Sequence, residues 1–106
     1  MSFSCGDVFL GLDFIGGGPR RPYVILSDSD HPFSSEEAIV TVVTTTERVK
    51  AIPLPDKKFE SGELPRESFV SPWTVTTLKK SDMREKLGRL RDEAMDEVSA
   101  EVKSYI

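Results

Sequence analysis

Apolar and polar positions alternate near the start of the chain: Val8, Leu10, Leu12 and Phe14 fall on one side of an extended backbone, with Asp7, Phe9 and Asp13 on the other. That period of two predicts a half-buried first strand. A second strand, short and nearly all-apolar, is expected over residues 23–26, with Pro22 as its first residue because proline lacks an amide donor and fixes its own φ. Residues 38–46, almost wholly β-branched, predict a central strand that runs into a threonine-rich end. Residues 48–54 can form another short strand, closed by Pro53 and Pro55. Residues 67–78 read as two strand pieces interrupted at Pro72, where a bulge or a sheet corner fits. Turn formers lie between them, densely over residues 27–35 and again in Asp56-Lys57-Lys58 and Ser61-Gly62-Glu63.

The pattern changes at Lys79. Ser81 or Asp82 can cap a short helical segment through Leu87, with Gly88 as its stop. A second helix from about Asp92 sets Met95, Val98, Val102 and Tyr105 or Ile106 on one face, while Asp92, Glu93, Asp96 and Glu97 gather near its positive N-terminal end. An apolar helix face needs a sheet to lie on. The expected fold is therefore mainly β with a C-terminal helix (α+β), in one domain over residues 1–106.

Composition narrows the function classes. Apolar runs reach only four to five residues, too short for a membrane-spanning helix, and no charged-then-apolar leader is present, so a cytoplasmic protein is expected. Cys5, the single cysteine, can form no internal disulfide, and with one histidine there is no cluster for zinc; neither metal nor cofactor is expected. The net charge of −4 is evenly spread, with six Lys/Arg against eight Asp/Glu over residues 1–58 and eight against ten over residues 59–106. Broad affinity for nucleic acid is thereby disfavoured, and any phosphate contact must be local.

The local candidate is Arg20-Arg21, which follows Gly16-Gly17-Gly18-Pro19 at the mouth of the second strand. Permanent charge and a rigid fork of donors beside small residues suit a phosphate or a carboxylate. Gly17 and Gly18 could cradle a phosphate with their amides, but no Gly-Lys-Ser/Thr follows and a plain turn is the simpler account. Taken alone, the arginine pair also reads as a solvated pair bonded to Asp28 or to a strand-end carboxylate. His31 reads first as a turn residue, although an unperturbed pKa of about 6.5 suits acid or base work. Trp73 is a core or dimer anchor, or a surface for stacking a base.

Taken in order, Gly6-Asp7-Val8-Phe9, the glycine loop into Arg21-Pro22, an apolar strand, a polar loop, a β-branched strand ending at Thr44 and a closing helix after Leu87-Gly88-Arg89-Leu90 resemble the MazF/PemK (Kid) toxins of type II toxin–antitoxin systems, over about residues 6–103. The resemblance implies a small SH3-like β-barrel of the MazF/CcdB type, a homodimer, a cognate antitoxin partner, and metal-independent, sequence-selective endoribonuclease activity on single-stranded RNA. It sets the family's catalytic arginine on Arg21 and its threonine on Thr44, with Arg20, Gly17, Gly18 and Thr45 as phosphate or RNA contacts. In that scheme the ribose 2′-hydroxyl attacks the adjacent phosphorus, leaving a cyclic phosphate and a free 5′-hydroxyl. Arg21 would neutralise charge on the phosphoryl oxygens, and Thr44 would donate a hydrogen bond to the same group or to the leaving oxygen.

Two features depart from the family pattern. The loop from Phe14 to Arg21 is shorter and richer in glycine, and the acidic residue, glutamine and arginine of the later strand fall on Trp73, Thr74 and Thr76. The acid–base role stays open among His31, Asp28 and another nearby carboxylate. Catalysis by Arg21 and Thr44 alone is a further reading, and so is an inert member acting as a CcdB-like gyrase poison or nucleic-acid-binding regulator.

Overall fold

The computed structural model describes residues 4–106. Its strands are β1 (Asp7–Leu12), β2 (Arg20–Ile25), β3 (Glu37–Thr44), β4 (Ile52–Pro53), β5 (Phe59–Gly62), β6 (Phe69–Lys79) and β7 (Met83–Leu90), followed by helix α1 (Asp92–Ser104). They form one antiparallel sheet in the order β4-β6-β3-β2-β1-β7-β5. The strongly apolar β2 and β3 lie inside the sheet, and its edges are the two shortest strands, which limits the exposed row of unpaired backbone groups.

The inner strands are covered on both faces. Val8 and its neighbour Phe9 are 0% and 1% exposed, yet they belong to different cores. Successive side chains of a strand point to opposite faces. Val8, Val24, Val43 and Val70 therefore pack with Ala94, Met95, Val98 and Val102 of α1, while Phe9, Tyr23, Ile25, Val40, Val42 and Leu78 form a second core that contains no helix residue. This corrects the expected half-buried first strand, which also ends at Leu12 and leaves Phe14 exposed.

The sheet closes over the second core by curling. Register breaks between Thr41 and Val42 on the β3–β6 ladder, and at two points where β1 meets β7, add the local twist that curling needs. The irregularity expected at Pro72 is present within one continuous β6. Thr41 pairs with Val75 and Val42 with Ser71, so Pro72, Trp73 and Thr74 bulge from the ladder. Buried Thr41 ties the bulge: its Oγ1 lies 2.9 Å from the carbonyl oxygens of both Ser71 and Thr74, which share its one proton. The fold is a curled antiparallel half-barrel with one C-terminal helix.

Several local expectations are corrected. No helix forms from Ser81 to Leu87; a 3₁₀ turn (Lys80–Asp82) leads directly into β7. Met83 to Leu87 are good helix formers, but that preference spans only about 0.7 kcal/mol per ordinary residue. Pairing with β1 on one side and β5 on the other outweighs it. Gly88 is no helix stop but a point of close approach: Gly62 faces it with φ +73°, and a Cβ on Gly62 would collide with the Leu87 carbonyl. The supposed polar turn at Ser61-Gly62 is thus the end of edge strand β5. The strand expected over residues 48–54 shrinks to Ile52–Pro53 behind a turn at Lys50 (φ +76°). Finally, β2 begins at Arg20, so Pro22 is its third residue. Pairing with β3 starts only at Tyr23, and Pro22 therefore sits where β2 has a single neighbour and a missing donor is tolerated.

Helix α1 buries Met95, Val98 and Val102, with Asp92 and Glu93 in its first turn and Lys103 in its last, the charge order its dipole favours. Tyr105 lies beyond its end, 44% exposed, and meets Trp73 edge-on with ring centroids 5.9 Å apart. Among the described residues no helix is long and apolar enough to cross a membrane.

Candidate functional site

Arg21 and Thr44 stand just past the same end of the β2–β3 ladder. The β2–β3 ladder pairs Tyr23 with Val42, Val24 with Thr41 and Ile25 with Val40. The ladder ends at Tyr23 and Val42, and Arg21 and Thr44 each lie two residues beyond this last pair, on the strand face that Tyr23 and Val42 share. A cleft of about 610 Å³ opens at this end of the strands, lined by both residues together with Val43 and Leu87, which belong to the helix-side core. Arg20 and Arg66 bring further guanidinium groups to it, and Asp13 and Glu85 bring carboxylates. A smaller hollow of about 220 Å³ shares Arg21, Thr44 and Thr46 and extends to Arg48, Trp73 and Thr74.

Asp13, one residue past β1, holds the arginine. Its Oδ1 lies 3.1 Å from Arg21 Nε, with the two side chains 4% and 19% exposed. The contact is ionic rather than an aligned hydrogen bond, since buried Nε has no acceptor in line. Backbone amides bind the same carboxylate from the loop side: Ile15 (2.9 Å) and Gly16 (2.7 Å) donate to Oδ1, and Gly18 (3.2 Å) donates to Oδ2. Burial by itself raises this carboxyl's pKa, but the Gly16 and Ile15 amides and the Arg21 guanidinium outweigh it and hold the pKa below its ordinary value. A Cβ on Gly16 would run into Arg21 Nη2, so a larger residue there would push the guanidinium aside. The base of the loop is tied by the Tyr23 hydroxyl, which donates to the Leu12 carbonyl at 2.6 Å.

Across the cleft, Thr44 Oγ1 accepts the Thr46 amide at 3.1 Å. The hydroxyl proton is left to donate elsewhere. The site thus combines a fixed cation, a hydroxyl donor and flanking guanidinium groups, an arrangement able to bind a phosphate and stabilise added charge on it.

Residues 8–106 match the family model described as PemK-like, MazF-like toxin of type II toxin-antitoxin system. The chain belongs to this family. Among solved structures, an endoribonuclease from a mycobacterial species in complex with its cognate antitoxin superposes with a TM-score of 0.76 at 17% identity, covering 98% of this chain and 92% of that one. MazF from Deinococcus radiodurans superposes with a TM-score of 0.74 at 21% identity, covering 98% and 96%. The Mycobacterium tuberculosis toxin MazF-mt6 gives 0.72 at 19%, covering 93% and 94%. At such identities the likeness is one of fold, and it bears out the MazF-type half-barrel. No curated protein gives a significant match.

In this MazF-family chain Arg20, Arg21, Thr44 and Thr45 all line the one cleft. Gly18 contributes indirectly, its amide being spent on Asp13, while Gly17 (φ +77°) turns the loop with open space around it. His31 and Asp28 are not brought to the cleft. They line a separate depression with Pro32 and Ile39, past the end of β2, whereas Arg21 stands at its start. Both serve local turns: His31 Nδ1 accepts the Phe33 amide, and Asp28 Oδ1 accepts the Asp30 amide, each at 2.9 Å. The carboxylate that pairs with the arginine is Asp13, not Asp28.

Sequence reasoning anticipated Asp13 only as an unnamed strand-end carboxylate, and it missed Arg66 and Glu85. An aspartate ahead of a glycine run is a recognised turn signal and could have pointed to Asp13. Arg66 and Glu85 carry no local signal and reach the cleft only through the fold. Burial, then Asp28, pushes the Cys5 thiol up, which suits an unreactive cysteine. Among the described residues no three His, Cys, Asp or Glu side chains gather as metal ligands.

Proposed function

We propose that this MazF-family toxin is a metal-independent, sequence-selective endoribonuclease acting on single-stranded RNA, with Arg21 and Thr44 as its catalytic residues. The observation that carries the reading is the shared cleft of Arg21 and Thr44, open to solvent and flanked by Arg20 and Arg66. Two solved structures of the same fold are named endoribonucleases. RNA supplies its own nucleophile: O2′ bonds to phosphorus, the bond to O5′ breaks, and the products are a cyclic phosphate and a 5′-hydroxyl end. Arg21 meets the charge that builds on the phosphoryl oxygens, and the Thr44 hydroxyl donates to the same group or to the leaving oxygen. Asp13, engaged by three loop amides and with a lowered pKa, is a poor base for the 2′-hydroxyl proton. Exposed Glu85 on the cleft wall is the remaining carboxylate for that task. Arg20 and Arg66 contact neighbouring phosphates, and Trp73 in the adjoining hollow offers its ring to a base.

The neighbour bound to its cognate antitoxin supports a like partner here, and membership of the MazF-like family supports a homodimer. An antitoxin tail carrying carboxylates fits the arginine-lined cleft and competes with RNA. The test is incubation of the purified protein with mixed single-stranded RNA in EDTA, beside Arg21→Ala and Thr44→Ala proteins of unchanged circular dichroism. Cleavage by the wild type alone supports the reading. No cleavage, with growth arrest on expression, favours the second one, an inert CcdB-like gyrase poison or nucleic-acid-binding regulator. That alternative draws on the hollow beside Arg21 being walled by Trp73 and threonines rather than by an acid–base group.

A further inference from the structure

We infer that Asp13 is a positioning residue for Arg21, holding one edge of the guanidinium so that its remaining donors face the cleft and the phosphate of a bound strand. The inference rests on the nuclease reading for the identity of the ligand, but its geometry stands on this chain alone.

A single carboxylate joins two things that are otherwise separate. It closes the loop between β1 and β2 by accepting three of its amides, and it lies 3.1 Å from Arg21 Nε. The arginine's Nη2 packs beside Gly16, in the space that a side chain would need. The Nε and Nη2 side is therefore taken up by the loop. An arginine free in solution samples many rotamers, and fixing it beforehand removes an ordering cost from binding. Asp13 does not compete with the ligand for the whole fork, because its oxygens are already shared among amide donors. A carboxylate serving as general base would instead need a free lone pair and a pKa nearer the working pH. Arg20, one residue earlier and exposed, has no ion pair among the described residues, which separates an anchored arginine from an unanchored one in the same dipeptide.

The test uses a fluorescein-labelled 2′-O-methyl RNA oligonucleotide, which presents phosphates but cannot be cleaved. Affinities are measured for the wild type, Asp13→Asn, Arg21→Ala and the double variant, each checked by thermal denaturation. Asp13→Asn is expected to weaken binding about 10-fold, with no further loss when it is added to Arg21→Ala, because a displaced guanidinium and an absent one are equally unhelpful. Gly16→Ala, which pushes the guanidinium without changing charge, is expected to weaken binding in the same direction. The ¹⁵N–¹H signal of Arg21 Nε should shift in Asp13→Asn, a readout that loss of loop stability elsewhere would not produce. Additive losses, an unmoved Nε signal, or equal binding by wild type and Arg21→Ala would overturn the inference. Coupled losses in a wild type that cleaves no RNA would uphold it and remove only the nuclease reading.

Discussion

Asp13 and Arg21 face each other at 3.1 Å across the neck of the loop joining β1 to β2, and the carboxylate that meets the guanidinium also gathers the loop's amides. The glycine run thus serves as a buttress. Gly16 is where the arginine lies against the loop, while Gly17 turns the chain with open space around it.

The lowered pKa of Asp13 makes this buttress pH-dependent. A carboxyl with a folded pKa below its unfolded value of about 3.9 contributes stability that is present above that value and lost as pH falls through the folded pKa. Asp13→Asn is therefore expected to be less stable than wild type at neutral pH, with the difference vanishing in strong acid. Urea denaturation at pH 7 and at pH 3 measures it; an equal gap at both pH values would mean that the carboxylate charge contributes nothing.

Thr44 offers a hydroxyl whose lone pair is engaged by the Thr46 amide and whose proton is free. Thr44→Ser should keep most RNA cleavage, whereas isosteric Thr44→Val should lower kcat by roughly 10²-fold, the scale of losing one donor to a developing oxyanion. Single-turnover assays separate this from weakened binding.

Trp73 stands half-buried where β6 bulges, beside the hollow that Arg21 and Thr44 share, with Tyr105 against its ring. Trp73→Ala should raise KM about 10-fold while changing kcat little, since stacking of a base is worth roughly 1–3 kcal/mol and acts on binding. A fall in kcat with unchanged KM would instead make Trp73 a support for the catalytic pair.

Asp7, at the other end of β1, is buried and takes Arg89 at 3.0 Å and Lys86 at 3.2 Å, pinning β1 to β7. Arg89→Ala should destabilise by about 2 kcal/mol, less than the 3–5 typical of a fully enclosed pair, because Lys86 still compensates the carboxylate. The urea midpoint should fall while cleavage at 25 °C stays near wild type, as the pair lies outside the cleft.

Local physics made much of this protein legible in one dimension. β-Branched runs at Val24-Ile25 and Val40 to Val43, the proline break at Pro72 and the apolar face Met95, Val98 and Val102 each carry a signal within a few residues, and each became the element it predicted. The spacing of Arg21 and Thr44 was likewise readable through family likeness. Elements 59–62 and 83–90 were decided by the tertiary structure, because their strand character comes from partners far along the chain: β7 is helix-forming in sequence and extended only between β1 and β5. The burial of β1 on both faces had the same origin, since an alternating strand cannot show that a curled sheet will cover its second side. So did the partner of Arg21. Asp13 and Asp28 are chemically alike and similarly near in sequence, and only the antiparallel turn that brings residue 13 back beside residue 21, while sending residue 28 past the far end of β2, distinguishes the carboxylate that holds the arginine from the one that merely closes a loop.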